Sequence, residues 1–261
     1  MPEGDTVFRA ARSMHKALAG RMLTSTDFRV PQYATADLTG QIVTEVVPRG
    51  KHMLTRTDDG VTLHTHFKME GSWHLYKPGT KWGGGPAHEV RVVLQNAEWS
   101  AVGYRLPIVQ LLPTSDEDQA VGHLGPDLLG PDWDLDAAVT RLLDKPDTSI
   151  AEALLDQRNL AGIGNLYKAE TLFLRGVHPW TPVAAVRDLP ALVALAQKLL
   201  KANTRHWAQA TTGNTARGQR HWVFERAGQP CRRCGTPILS AMQGDPAVER
   251  ITYWCPACQP K

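Results

Sequence analysis

The sequence predicts an α+β protein of two domains. Three observations lead there. Short runs of alternating apolar and polar residues fill positions 22 to about 111. Composition then shifts to proline, glycine and aspartate between Pro113 and Pro131. Helical periodicity follows, and the chain closes on two cysteine pairs. At 261 residues there is enough chain to bury two modest cores. The 42% hydrophobic and 21% charged content is that of a soluble globular protein, and no stretch has the apolar length of a membrane span. Met1-Pro2-Glu3-Gly4-Asp5 is acidic and polar, unlike a signal peptide, so a cytoplasmic location is the expectation.

A first helix is expected from Asp5 or Thr6 to about Leu18, ending at Gly20. Asp5 serves as its N-cap, and Val7, Ala10, Ala11, Met14 and Leu18 recur at helical spacing. The best strand candidates are Gln41–Val47, His52–Arg56, Val61–Phe67, His88–Gln95 and Leu106–Leu112, with Asp59-Gly60 as a tight hairpin turn. Such a region makes a β-sandwich or a barrel. Trp82-Gly83-Gly84-Gly85 reads as a flexible loop. Past the hinge, helices are expected over Leu135–Leu143, Ile150–Asp156, Ile163–Leu174 and Leu189–Ala210, the second opened by a Ser149/Glu152 capping box. The last forty residues return to strands around the cysteines.

Cys231, Cys234, Cys255 and Cys258 form two C-x2-C pairs twenty residues apart, the spacing of a tetrahedral zinc ribbon. Four thiolates leave no open position on the ion, so the zinc is expected to be structural. Disulfides are the rival reading, and the absence of a secretory signal weighs against them. The net charge of +3 is uninformative in itself. From residue 201 onward, however, nine Lys/Arg face three Asp/Glu, a net of +6 that leaves −3 for the first 200 residues. A basic C-terminal segment suits phosphate binding, and suits a plain solvated face equally well.

Four motifs stand in one order: Met1-Pro2-Glu3-Gly4, then Arg49-Gly50-Lys51 before a strand, then Gly162-Ile163-Gly164-Asn165 opening a helix, then the cysteine ribbon. Together they resemble the formamidopyrimidine-DNA glycosylase/endonuclease VIII family over essentially the whole chain, on its endonuclease VIII side. The resemblance implies an N-terminal β-sandwich with flanking helices (residues 1–125), a helix–two-turn–helix domain (126–226) and a zinc ribbon (227–261). It also implies a bifunctional DNA glycosylase/AP lyase acting on damaged DNA, with one structural zinc ion and a monomer as the expected form.

On that resemblance the catalytic residues are Pro2, Glu3, Lys51 and Arg250. Removal of Met1 would free the Pro2 amine, and an α-amino pKa of roughly 7.7–8.0 leaves about a tenth of it neutral at pH 7. Such an amine can attack C1′, expel the base and form an iminium that acidifies the C2′ proton, so that β-elimination cuts the strand. Glu3 would protonate the sugar oxygen and then shuttle protons. Lys51 and Arg250 would grip phosphate, Arg250 through its planar fork. Asn165 would join them as a clamp at a helix N-terminus, although Gly-x-Gly-Asn can also be a tight turn. Lys68 and Met69 align with the loop that fills the gap left by the extruded base, Met69 being a wedge if it is not a core methionine. His123 stands where relatives often carry a DNA-contacting arginine. The chain departs from many members at Thr6, where they have glutamate.

Members that act on oxidised purines usually carry a longer loop ahead of the ribbon. Only Thr211–Pro230 separates the long helix from Cys231 here, which favours oxidised pyrimidines. The alternative is a catalytically silent protein that binds damaged or abasic DNA.

Overall fold

The computed structural model describes residues 2–247 and 249–261. The chain divides into two compact units, residues 1–123 and 124–261.

Unit 1 opens with helix α1 (Gly4–Leu18), whose buried Val7, Ala11, Met14 and Leu18 lie at helical spacing. The N-cap is Glu3, not Asp5: the Glu3 carbonyl accepts from the amides of Thr6 and Val7 at 3.0 and 3.1 Å. Asp5 instead lies in the buried first turn, 3.7 Å from the Arg9 guanidinium. Nine strands follow: β1 (Arg21–Met22), β2 (Ser25–Phe28), β3 (Ile42–Arg49), β4 (His52–Thr57), β5 (Val61–His66), β6 (Ser72–Tyr76), β7 (Val90–Gln95), β8 (Ser100–Tyr104) and β9 (Ile108–Pro113). They form two antiparallel sheets, ordered β1-β3-β4-β5-β9 and β2-β7-β8-β6. One core joins them: Val43, Met53 and Leu63 from the first sheet, Phe28, Val92, Leu94 and Ala101 from the second, and the apolar face of α1. This is the β-sandwich with a flanking helix. A short helix α2 (Asp118–Val121) ends the unit.

The expected strands became β3, β4, β5, β7 and β9, and four others gave no clear signal. β8 is buried along its whole length, so its residues cannot alternate between apolar and polar. β1 and β2 are edge pieces of two and four residues. The glycine loop after β6 lies against the sheet: a Cβ on Gly84 would stand 2.6 Å from the Tyr104 ring, and the Gly83 amide donates to the Tyr76 hydroxyl at 3.1 Å.

Unit 2 contains α3 (Leu135–Leu143), α4 (Ile150–Leu155), α5 (Asn165–Arg175), α6 (Leu189–Asn203) and the hairpin β10 (Leu239–Gln243)–β11 (Arg250–Trp254). Ser149 caps α4, accepting from the Glu152 amide at 3.4 Å while its hydroxyl meets the Glu152 carboxylate. The expected helix to Ala210 stops at Asn203, whose side chain accepts from Ala210 N at 2.7 Å and donates to Ala210 O at 3.0 Å, folding the chain back. The helices and the cysteine hairpin share one core, to which Leu154, Phe173, Val193, Ile238, Tyr253 and Cys255 contribute. None of the described helices is long and apolar enough to cross a membrane.

A buried carboxylate organises this unit. Glu170 on α5 accepts from the amides of Trp222, Val223 and Phe224 at 2.8, 2.8 and 2.9 Å and from the Thr211 hydroxyl. Leucine there would strand three buried N–H groups, each costing about 1–3 kcal/mol. Glu170→Leu is therefore expected to lower unfolding stability by about 3 kcal/mol at least, read as a lower urea midpoint.

Candidate active site

Within unit 1, three chain segments carry the residues expected to act. The first is the entry to α1, where Glu3 is 0% exposed and Pro2 is half-buried. The second is the β3–β4 turn. Arg49 pairs with His52 across a two-residue turn, Gly50-Lys51, with Gly50 at φ +59 in the left-handed region that glycine adopts without strain. The third is the loop after β5, closed by a hydrogen bond from Gly71 N to Phe67 O at 2.8 Å. A Cβ on Gly71 would stand 2.7 Å from that carbonyl, so the closure needs glycine. Lys68 takes φ +45, an unusual backbone for a side-chain-bearing residue, and Met69 is 59% exposed, so Met69 is no core methionine. Helix α1 packs against β3, β4 and β6, the strands that enter and leave the Lys51 turn and follow the Met69 loop.

Four histidines stand behind these tips. The His52 and His66 rings meet edge to face at 4.6 Å, His52 and His64 stack at 5.0 Å, and His123, exposed at the end of the unit, lies 6.3 Å from His52. Burial, reinforced by the positive charge of its neighbours, pushes His52 down to about 3. The same causes take His66 down to about 4, and burial lowers His64 against an opposing hydrogen bond to the Gln110 side-chain oxygen.

Unit 2 brings the other expected residues together. Asn165 begins α5 after Gly162, which has φ +101, and Gly164, the N-cap. The Asn165 side chain is buried, and its amide donates to Ile251 O at 2.8 Å, tying the helix start to the strand that Arg250 opens. Arg250 itself is exposed. Lys168, also buried, donates to the Thr252 hydroxyl at 2.7 Å, and Gln243 donates to Ser149 at 2.9 Å. The hairpin is thus held to α5 and α4 by side chains of both strands.

The sulfurs of Cys231, Cys234, Cys255 and Cys258 all lie within 4.8 Å of one another, with Cys234 3.5 Å from both Cys255 and Cys258 and Cys231 4.0 Å from Cys258. Four thiolates at Zn–S lengths would stand about 3.8 Å apart around a tetrahedral ion, whereas a disulfide needs about 2.05 Å. All four cysteines are free, and the set can hold one metal ion.

Glu170, Lys168 and His64 escaped the sequence reading. The signal for the first two was present: α5 is buried on every side from Asn165 to Phe173, so any charge within it needs a partner. His64 needed the strand register.

Comparison with known proteins identifies the family. The formamidopyrimidine-DNA glycosylase N-terminal domain matches residues 1–105, and the formamidopyrimidine-DNA glycosylase H2TH domain matches residues 124–212. The chain is 58% identical to a probable endonuclease 8 2 of Streptomyces coelicolor, over 99% of this chain and 94% of that protein. It is 46% identical to the DNA-(apurinic or apyrimidinic site) lyase Nei2 of Mycolicibacterium smegmatis over 99% of both. A Lactococcus lactis formamidopyrimidine-DNA glycosylase, solved with DNA containing an abasic site, superposes with a TM-score of 0.82 over all of both chains, at 22% identity that speaks for the fold alone. The chain belongs to the formamidopyrimidine-DNA glycosylase/endonuclease VIII family of bifunctional base-excision DNA glycosylase/AP lyases.

Proposed function

We propose that this protein removes oxidised bases from duplex DNA, pyrimidines in preference to purines, and nicks the strand through a Schiff base on Pro2. The observation that carries this reading is a wholly buried carboxylate, Glu3, one residue after a half-buried proline. Removal of Met1, which lies outside the described residues, frees the secondary amine. That amine attacks C1′ as the base leaves, and Glu3 protonates the ring oxygen so that the sugar opens to an iminium. Loss of the C2′ proton then expels the 3′ phosphate.

Lys51 holds the phosphate of the damaged nucleotide, and Lys68 and Met69 occupy the vacated stack, with His123 beside them. Asn165 and Arg250 grip the backbone from residues 126–226 and 227–261, the helix–two-turn–helix and ribbon parts, while residues 1–125 carry the chemistry. The four cysteines fit zinc, whose role is to hold the hairpin that carries Arg250. The protein acts as a cytoplasmic monomer. Pyrimidine preference is supported by the short segment ahead of the ribbon: Glu170 clamps it at Thr211 and again at Trp222, and Arg232 holds Gly218 and His221 through their carbonyls. A segment pinned in this way has little length with which to cover a flipped purine.

Single-turnover nicking of duplexes carrying 5-hydroxyuracil or 8-oxoguanine tests the proposal. The pyrimidine should be cut roughly tenfold faster or more, the discrimination a shaped pocket can supply. Equal or reversed rates would overturn the preference. No nicking at either lesion or at an abasic site, by protein that binds all three duplexes, would make this a silent damage-binding protein.

A further inference from the structure

The histidines of unit 1 form a continuous path between two of the tips just described. His52 starts β4 directly after the Gly50-Lys51 turn, and His66 ends β5 two residues before Lys68. They are direct cross-strand partners, and His64 sits diagonally from His52 on the same face. Nε2 of His64, whose side chain is 3% exposed, lies 2.7 Å from Nδ1 of His52. The other nitrogen of His64, Nδ1, lies 3.3 Å from Oε1 of Gln110 on β9. At the far end, Nδ1 of His66 accepts from the backbone amide of Lys68 at 2.8 Å.

One set of tautomers, with Gln110 Oε1 as the acceptor, satisfies all of these contacts. Gln110 Oε1 can only accept, so His64 carries its proton on Nδ1 and accepts at Nε2 from His52 Nδ1–H. His66 accepts at Nδ1, so its proton is on Nε2. Every ring is satisfied with one proton. A second proton on His64 would oppose the N–H of His52, and a second on His66 would oppose the Lys68 amide. A metal ion would have to displace these bonds, because the lone pairs of His64 and His66 that the contacts use are already engaged.

We propose that His52, His64 and His66 are a coupling element that fixes the Gly50-Lys51 turn against the Lys68-Met69 loop, with His52 and His64 as positioning residues for Lys51. The proposal rests on the phosphate-holding role of Lys51. The charged groups that act on the path are Lys51, Lys68 and His123 at the tips and Glu117 near His64, the last already bound by Arg56 and Thr62. Three of the four, Lys51, Lys68 and His123, disfavour positive charge on the rings, so the surroundings favour neutral ones. Because the folded values of His52 and His66 are lowered, this contribution to stability is complete above about pH 6.5, the ordinary value, and is lost as pH falls toward about 4 and then 3.

The test is single-turnover β-elimination on an abasic duplex at saturating protein, using the full chain with its N-terminal amine free. His64→Leu should slow the step about tenfold through misplacement of Lys51. His64→Gln, whose amide reaches the place of Nε2, should stay within about threefold. In a Lys51→Ala background the His64→Leu penalty should shrink below about twofold, because the residue through which it acts is gone. Imidazole NMR of the unmodified protein should show His52 and His66 still neutral at pH 5.5, a measurement that needs no variant to fold. Rings that titrate near 6.5 would overturn the proposal, as would an undiminished penalty beside Lys51→Ala or a His64→Gln as slow as His64→Leu. If Lys51→Ala proves as fast as the parent, the role of Lys51 falls and the coupling proposal falls with it. If Lys51→Ala is slow and the two penalties simply add, only the coupling proposal falls.

Discussion

Borohydride added to this protein on an abasic-site duplex is expected to yield a stable covalent adduct, and a single residue appended ahead of Pro2 is expected to abolish it. The magnitude follows from proton affinity. At pH 7 an α-amine is about a tenth neutral, while a lysine amine near 10.4 is neutral at roughly 4 parts in 10,000, a few-hundred-fold disadvantage. Lys51, although placed at a turn tip, is therefore a poor substitute nucleophile, and the loss should reach about a hundredfold or more. Pro2→Gly should keep part of the trapping, because glycine also offers an α-amine. Mass spectrometry must first establish that Met1 has been removed. An adduct that persists in the extended protein would transfer the nucleophile to a side chain, and no adduct from trimmed, DNA-binding protein would remove the lyase mechanism altogether.

Much of this site could be read in the sequence because its chemistry is tied to local spacing. The cysteine pairs are two tight turns, and their ligand spacing survives whatever fold surrounds them. The buried stripe of α1 follows the 3.6-residue period, so Val7, Ala11, Met14 and Leu18 announced it. What remained hidden depends on contacts between distant segments. Asp5 has the composition of an N-cap, but the Glu3 carbonyl had already opened the helix two residues earlier. Asn203 ends α6 by reaching Ala210, and a helical periodicity carries no mark of that return. The pairing of His52 with His66, and the approach of His64 beside them, exist only once β4 and β5 take their register; a shift of one residue would turn His64 to the other face. Glu170 likewise becomes intelligible only when the Trp222–Phe224 amides arrive on it.

Loss of one cysteine should have the second large effect. Cys255 is fully buried, belongs to the core of unit 2, and directly follows the strand that carries Arg250. Structural zinc supplies about 10–16 kcal/mol in small finger domains, as much as or more than the 5–15 kcal/mol that holds a whole domain folded. Even a fraction of it decides whether β10–β11 stays formed, because a two-stranded hairpin alone is marginal in water. The hairpin would not leave alone. Ile251 O holds the Asn165 amide, Thr252 holds the buried Lys168 ammonium, and Gln243 holds Ser149, so release takes hydrogen bonds from the starts of both α4 and α5. Lys168 is affected most by this loss, since a hydrogen bond taken from a buried ammonium costs more than one taken from a neutral donor. Cys255→Ala is therefore expected to bind less than one zinc per chain, to be cut by protease between about residues 231 and 258, and to lose about a hundredfold in affinity for an abasic duplex as the Arg250 and Asn165 contacts go together. Chelation of the unaltered protein should reproduce all three effects, and restored zinc should reverse them. A Cys255→Ala protein that keeps its protease resistance and its DNA affinity without metal would mean that the side-chain ties to α4 and α5 hold the hairpin by themselves.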